Sequence, residues 1–523
     1  MPDATHVAVR DGRILAVGDT TCADQWGDVT HDASLADAVL MPGFVEGHAH
    51  MLAGAIWEFA YTGYHDRIDP QGRLWTGLPS LEDVVARLAD IDAKLPAGAP
   101  LIGWGFDPIF LAEDRLSRVH LDTVSTTRPV AILFSNFHLM CVNSVALDMV
   151  GYSETTLAEG VVKWPDGAPT GELQEMAAMF PIMRRLGIDF RALSQRASAI
   201  QSYAQVATRA GVTTVTDLFS HLEDEDLDIM FSVTGEETFP LRIVPALAAS
   251  GDPGALAERA LALKSRSTDK VRLGAVKLMT DGSIQGWTAR VKWPGYVGGQ
   301  PNGIWNMAPE QIRTTCAALH AAGVQMHIHV NGDEASDIVI DALASAMREA
   351  PWPDHGHVLQ HGQMMDDGQF RRCADLGISV NLFANHLWYF GDQHVALTIG
   401  PDRANRMDAV RSALDAGLTV AIHSDAPVTP MGPLFTAWCA INRETMSGRV
   451  LGDAQRISVA EALYAITLGA ARTLKLDAEI GSISIGKSAD FAVLGSNPLE
   501  IDPASLKDVP VLGTVFRGRV KLV

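Results

Sequence analysis

Apolar and polar positions change rhythm twice along this chain. Near each end they alternate. The segment "HVAVRDGRILAVGD" (6–19) carries short apolar stretches on both sides of an Asp-Gly pair, which predicts two strands joined by a tight turn. The segments "GSISIGKSADFAVLG" (481–495) and "VLGTVFRGRVKLV" (511–523) read the same way. The ends therefore predict one small β-sandwich assembled from residues 1–40 and 478–523, since chain termini commonly lie close together in a domain.

Between the ends the alternation gives way to near-continuous apolar runs separated by longer, helix-like stretches. The runs are "MPGFVEGHAH" (41–50), "VTTVTDL" (212–218), "LRIVPAL" (241–247), "VRLGAVKLM" (271–279), "GVQMHIHV" (323–330), "HVLQHGQ" (357–363), "GISVNLFA" (377–384) and "GLTVAIHSD" (417–425). Parallel strands buried on both faces have this texture, and the intervening segments are long enough for crossover helices. "SVAEALYAITLGAARTLKL" (458–476) has helical spacing behind a Ser in N-cap position. Eight such strands predict an α/β fold, a TIM-like (β/α)8 barrel over residues 41–477. Residues 51–211 are too long for a single crossover, so they are read as a large insertion after the first barrel strand, lying over the barrel mouth.

Composition narrows the partners. The chain has 523 residues, 47% hydrophobic and 20% charged, enough for a large core without staples. A net charge of −21 and a pI near 5.2 argue against nucleic acid or an anionic membrane as partner, because phosphate binding requires a basic face. No apolar run approaches the ~18 residues of a membrane span. The N-terminus lacks the basic and apolar regions of a signal peptide. Cys22, Cys141, Cys316, Cys373 and Cys439 are scattered and odd in number, which reads as free thiols. The expectation is a soluble cytoplasmic protein.

Candidate chemistry follows from the barrel. Active sites of such barrels lie at the C-terminal ends of the strands. Reading those ends gives His48 and His50 on the first strand, Lys277 on the fourth, His329 on the fifth, His361 on the sixth and Asp425 on the eighth. Residues i and i+2 share a face of a strand, so His48 and His50 can grip one ion together. Each residue alone has a plain structural reading. A strand-end His usually only hydrogen-bonds, Lys277 could pair with Asp281, and Asp425 could cap the following turn. Their joint convergence points to a divalent metal. A lysine ammonium has no lone pair for a metal. Burial and nearby cations lower a lysine's pKa, and the neutral amine then takes up carbon dioxide to give an N-carboxylated lysine with two ligand oxygens.

The combination "PGFVEGHAH", "VKLMTDGS", "HVNGDEA", "LQHGQ" and "HSDAPVTP" resembles the amidohydrolase superfamily, and within it the amidohydrolase-3 branch that includes N-substituted formamide deformylases. "FHLMCVNSVAL" (137–147), "PTGELQE" (169–175) and "GSISIGKSADFAVL" (481–494) extend the match over nearly the whole chain. The resemblance implies that His48, His50 and Asp425 hold one metal and His329 and His361 a second. Lys277, as a carbamate, would bridge them. Zinc is the usual occupant, although these donors also admit manganese, iron or nickel.

The expected reaction is hydrolysis of a non-peptide carbon–nitrogen bond in a small molecule, with the metal making water reactive and Asp425 as catalytic proton carrier. Aromatic residues including Trp287 and Trp388 cluster in segments placed near the mouth, which favours a flat, aromatic substrate. His386, which follows the seventh strand, is the leading polar substrate contact, with His138 and Glu175 in the insertion beside it. The same site also serves a cyclase closing a benzoxazole-type heterocycle, since hydrolysis and ring closure share a tetrahedral intermediate. A barrel that has lost its chemistry and survives as a non-catalytic scaffold is the third reading. The resemblance allows a homodimer.

Overall fold

The computed structural model describes residues 4–111 and 115–523. Eight parallel strands form one sheet in strict chain order, and we number them β1 (Phe44–Glu46), β2 (Val212–Ser220), β3 (Arg242–Ala248), β4 (Ala275–Met279), β5 (Met326–Val330), β6 (Val358–His361), β7 (Ser379–Leu382) and β8 (Val420–Ile422). Each lies within, or within two residues of, a run picked out by its apolar texture. Their side chains are almost all buried, as parallel strands covered on both faces must be. The sheet curls until its ends meet. The His50 N–H donates to the Ala426 carbonyl at 2.8 Å and the Asp425 N–H to the His48 carbonyl at 3.1 Å, with Ala49 and Ala426 paired in parallel. These contacts lie just past the C-terminal ends of β1 and β8, where the candidate site residues sit.

The first apolar run departs from expectation, because it serves two sheets instead of one. Val39–Pro42 pairs antiparallel with Phe491–Leu494 in a four-stranded sheet completed by the hairpin Val511–Phe516 and Arg519–Leu522, while Phe44–Glu46 enters the barrel. The switch is made at Pro42 and Gly43. Proline has no N–H to continue a ladder. A Cβ on Gly43 would stand 2.1 Å from the Thr213 hydroxyl, so only glycine lets the chain cross there. The four-stranded sheet thus draws on both chain ends. The hairpin of His6–Arg10 and Arg13–Gly18 packs Ile14 against Phe491, Val493 and Val515 in a common core. Asp11 and Gly12 both have positive φ, 51° and 76°, the twist that a two-residue hairpin turn requires.

Two further details differ. The helix expected over 458–476 begins as expected, with Ser458 Oγ accepting from the Glu461 N–H, but it breaks into Val459–Ala465 and Leu468–Thr473. The "GSISIGKS" stretch contributes no strand, and only Phe491–Leu494 joins the ladder.

Residues 51–211 carry a six-stranded sheet of their own. Ala60–Tyr61, Leu101–Phe106 and Val130–Phe134 run parallel, and Leu139–Val142, Pro169–Gln174 and Val161–Lys163 follow antiparallel. Its own apolar clusters include the buried rings of Trp104 and Phe106. Buried Arg67, in the same 51–211 segment, donates to the carbonyls of Pro427 and Val428, in the loop that follows Asp425.

Candidate metal centre

The barrel brings side chains from five strands to one point. His48 Nε2 and His50 Nε2 stand 3.4 and 3.2 Å from Asp425 Oδ1. His361 Nδ1 is 3.9 Å from Asp425 Oδ2. The ring centroids of His48 and His361 are 4.4 Å apart, and those of His329 and His361 4.5 Å apart. Lys277 is fully buried on β4, and its charge acts on His48, His329 and His361, whose pKa values burial has already driven well below the ordinary imidazole range.

Several polar atoms here are buried without a partner among the described residues, including Lys277 Nζ, His361 Nδ1, both ring nitrogens of His423 and Asp425 Oδ1. Buried polar atoms are nearly always hydrogen-bonded, so a cluster of orphans requires an explanation. All are electron-pair donors or, for lysine, become one on losing a proton. A divalent cation fits them. Ligand atoms of His48, His50 and Asp425 lie within 4.8 Å of one another, and so do those of His48, His361 and His423.

Electrostatics agrees with this picture. Burial lowers Lys277 to about 7, partly countered by Asp425, so its neutral amine is accessible near physiological pH. The suggested ion pair of Lys277 with Asp281 does not form. Asp281 instead accepts the backbone N–H groups of Arg290, Asn331 and Gly332, and burial lifts its carboxyl to about 7. Burial would also raise Asp425, but the pull of His50, then His423 and Lys277, outweighs it and holds the carboxylate below its usual value. Nor does the Asp425 side chain cap its turn, since the turn closes through its backbone carbonyl and the Val428 N–H.

Some of the chain's left-handed non-glycine residues fall at this site. His361, Asp425, Glu175 and Trp287 all have positive φ, between 54° and 71°. Non-glycine residues adopt that region at a cost and keep it only where the surroundings impose it, commonly at functional sites.

The other sequence-derived candidates fall into two groups. His138 and Glu175 pair at 2.8 Å, and the His138 ring stands 5.7 Å from His329, so both reach the centre from the insertion. A Cβ on Gly282 would come 2.6 Å from Glu175 Oε1, which makes glycine the residue that admits this carboxylate. His386 lies on the helix Asn385–Gln393 between Phe383 and Phe390, with Nδ1 3.3 Å from His394 Nε2. Trp388 packs with His65, Tyr389 and Phe435, and Trp287 packs beside Arg115, its indole N–H without a partner among the described residues. Trp293, by contrast, is 93% exposed.

Sequence reasoning overlooked three residues. His423 stands two positions before Asp425, and the alternation used for His48 and His50 would have found it. Gln360 accepts from His48 Nδ1 at 2.8 Å and from Asn381 Nδ2 at 2.9 Å, and donates to His327 Nδ1 at 2.8 Å. Neither it nor Asn381 carries a ligand-type signature.

Comparison with known proteins identifies the group. The profile of the amidohydrolase family matches residues 33–521. The chain belongs to the amidohydrolase family. As such it is a metal-dependent hydrolase acting on carbon–nitrogen bonds other than peptide bonds. The amidohydrolase is 27% identical over 537 residues to the N-substituted formamide deformylase of Arthrobacter pascens, covering 98% of this chain and 94% of that protein. Its fold is similar to that of an uncharacterized metal-dependent hydrolase from Pyrococcus horikoshii, with a TM-score of 0.70 at 20% identity over 95% of this chain and 94% of the other. It is also similar to atrazine chlorohydrolase TrzN from Arthrobacter aurescens complexed with zinc, with a TM-score of 0.51 at 16% identity, covering 99% and 90% of the two chains. These likenesses support a TIM-like barrel. Among the described residues no helix is long and apolar enough to cross a membrane.

Proposed function

We propose that this amidohydrolase cleaves an amide- or formamide-type bond in a small aromatic substrate, using water made reactive by a divalent cation at the barrel mouth. The observation that carries this reading is the group of unpartnered donors on Lys277, His361, His423 and Asp425, buried beside His48 and His329. When bound, the cation lowers the pKa of water towards neutrality and polarises the carbonyl under attack.

The chain's own residues do the rest. His48, His50 and Asp425 would hold one ion, and His329 and His361 a second. Lys277, buried and without a partner among the described residues, would as a carbamate supply further ligand oxygens to them. Zinc is the cation we assign, consistent with imidazole and carboxylate donors and with the zinc-complexed neighbour. Asp425 takes the proton of the attacking water and returns it to the leaving nitrogen. Glu175 fixes His138 by its Nδ1, leaving Nε2 for a polar atom of the substrate.

The aromatic preference rests on a stacked series near the helix Asn385–Gln393. Tyr64 stacks on Phe110 at 4.8 Å, and Phe110 on Phe390 at 5.3 Å, beside Trp388 and His386. Aromatic walls suit flat ligands. Entry is expected at His50, whose side chain is 30% exposed while those of His48, His329, His361 and Asp425 are 11% or less. In this reading residues 1–40 with 478–523 form one composite β unit, and 51–211 are a subdomain over the mouth.

The test incubates zinc-reconstituted protein with a panel of N-aryl and N-benzyl formamides and weighs the products. Substrate mass plus water, appearing as amine and formate, supports hydrolysis. Loss of water from an ortho-hydroxylated aryl amide would assign ring closure instead, and no turnover of any aromatic amide would sink the substrate class.

A further inference from the structure

His423 is an imidazole that the six-ligand arrangement leaves without a task. It is completely buried, and neither ring nitrogen has a hydrogen-bond partner among the described residues. A neutral imidazole has one donor and one acceptor, and burying both unused is unfavourable. The ring is stacked on His48 at 4.7 Å with 21° between the planes and lies 4.6 Å from Phe383; no hydrogen bond fixes its rotation among the described residues, so a turn of the ring would bring its lone pair towards an ion shared with His48. Its ligand-capable nitrogen falls within 4.8 Å of those on His48 and His361. An ordered water could satisfy one nitrogen, but it would not account for three ligand atoms meeting from β1, β6 and the end of β8.

We propose that His48, His361 and His423 form an alternative, all-imidazole cation position. It shares His48 with the His48–His50–Asp425 triad and His361 with His329, so an ion held there excludes an ion from both of those positions. The inference rests on the reading that this mouth holds a divalent cation. His48 imposes the exclusivity. Its Nδ1 is committed to Gln360, which leaves Nε2 as the sole nitrogen for either position. The donor sets then sort metals by chemistry. Three nitrogens suit nickel and copper, which lie high in the order of nitrogen affinity, whereas a carboxylate in the set suits manganese.

The experiment uses the full chain dialysed against chelator, with Ni²⁺ and Mn²⁺ titrated separately by calorimetry and Cu²⁺ followed by electron paramagnetic resonance. One equivalent of Cu²⁺ on the unaltered protein should show three coupled imidazole nitrogens. His423→Gln should weaken Ni²⁺ at least tenfold and leave Mn²⁺ within twofold, and His50→Gln should do the reverse. Only two coupled nitrogens in the unaltered protein, an unchanged Ni²⁺ affinity in His423→Gln, or equal loss of both metals would each overturn the proposal. Because His50 and His329 can also supply a third nitrogen, the copper spectrum is recorded on His423→Gln as well, where the count should fall to two, and His423→Asn takes its place if that variant fails to fold. Should the unaltered protein bind none of the three ions, the hydrolytic reading fails with it. Should it bind them without His423, only this inference fails.

Discussion

His48 Nδ1 and Gln360 Oε1 are 2.8 Å apart, and this contact sets the tautomer of the histidine. The amide oxygen accepts, so Nδ1 carries the proton and Nε2 keeps its lone pair facing Asp425. Partners that orient a ligand in this way typically alter metal affinity by about 10–100-fold when removed. Gln360→Met should weaken zinc by that factor in a competitive titration. Gln360→Glu keeps an acceptor for His48 and should stay within a few-fold of the unaltered protein. If the two variants bind zinc alike, the tautomer argument is wrong.

Asp425 is assigned both ligation and proton transfer, and these can be separated. Asn is nearly isosteric and offers one oxygen for a ligand contact, but it cannot accept a proton. Asp425→Asn should therefore fold, retain measurable metal, and lose turnover by at least about 100-fold. A variant with near-normal kcat would move the proton carrier elsewhere, with His138 the first candidate.

Lys277 gives a spectroscopic prediction. A neutral amine in a buried site can take up carbon dioxide, with loss of one proton, to form a carbamate. Protein prepared with ¹³C-bicarbonate and zinc should show one slowly exchanging carbamate carbon by NMR, absent in Lys277→Met. Lys277→Met should also hold fewer ions than the unaltered chain. The same spectrum in both proteins would remove Lys277 from the centre.

Much of this architecture could be read from the chain, for identifiable reasons. Doubly covered strands must be apolar on both faces, so all eight barrel strands stood out, and strand-end histidines pointed to a shared location. What escaped was whatever lacked a chemical signature. Gln360 and Asn381 are ordinary amides until three dimensions place them behind His48. The switch at Pro42–Gly43 depends on Thr213, far away in sequence. Pattern alone also overstates chemistry. Three His-x-His pairs occur, yet the pair at His355 and His357 is structural. His357 Nε2 meets His320 Nδ1 at 2.9 Å, His357 Nδ1 accepts from the Met326 N–H, and His355 Nε2 donates to the Leu376 carbonyl.

That structural cluster makes an acid-side prediction. Burial, then neighbouring His355 and His320, holds His357 well below the ordinary value of 6.5. A depressed histidine resists protonation in the fold but not in the unfolded chain. Its contribution is therefore complete above pH 6.5 and is lost as pH falls below it. Denaturant midpoints should drop between pH 8 and pH 5. His357→Gln should begin lower at pH 8, having lost its hydrogen bonds, and fall less across that range. A parallel decline in both proteins would exclude His357 as a source of the slope.

Asp107 should give the opposite slope. Burial raises its carboxyl to about 7, against the donors Ser135 Oγ at 2.8 Å and the Ile109 N–H at 3.2 Å. The nearby guanidinium of Arg115 cannot neutralise it fully, being engaged at 2.6 Å with Glu172. A raised carboxyl stabilises the fold while protonated, so its contribution is present below the unfolded value of 3.8 and disappears as pH climbs through 7. From pH 6 to pH 9 the folding constant should fall by roughly tenfold on this account. Asp107→Asn cannot ionise and should make that limb shallower while leaving the decline below pH 6.5 in place; Asp281 and Glu46, buried carboxyls raised to about 7 and about 8, sustain the remainder. If the variant's stability still falls by the same amount above pH 6, the alkaline limb belongs to other groups, and Glu46 and Asp281, buried carboxyls raised to about 8 and about 7, become the residues to replace.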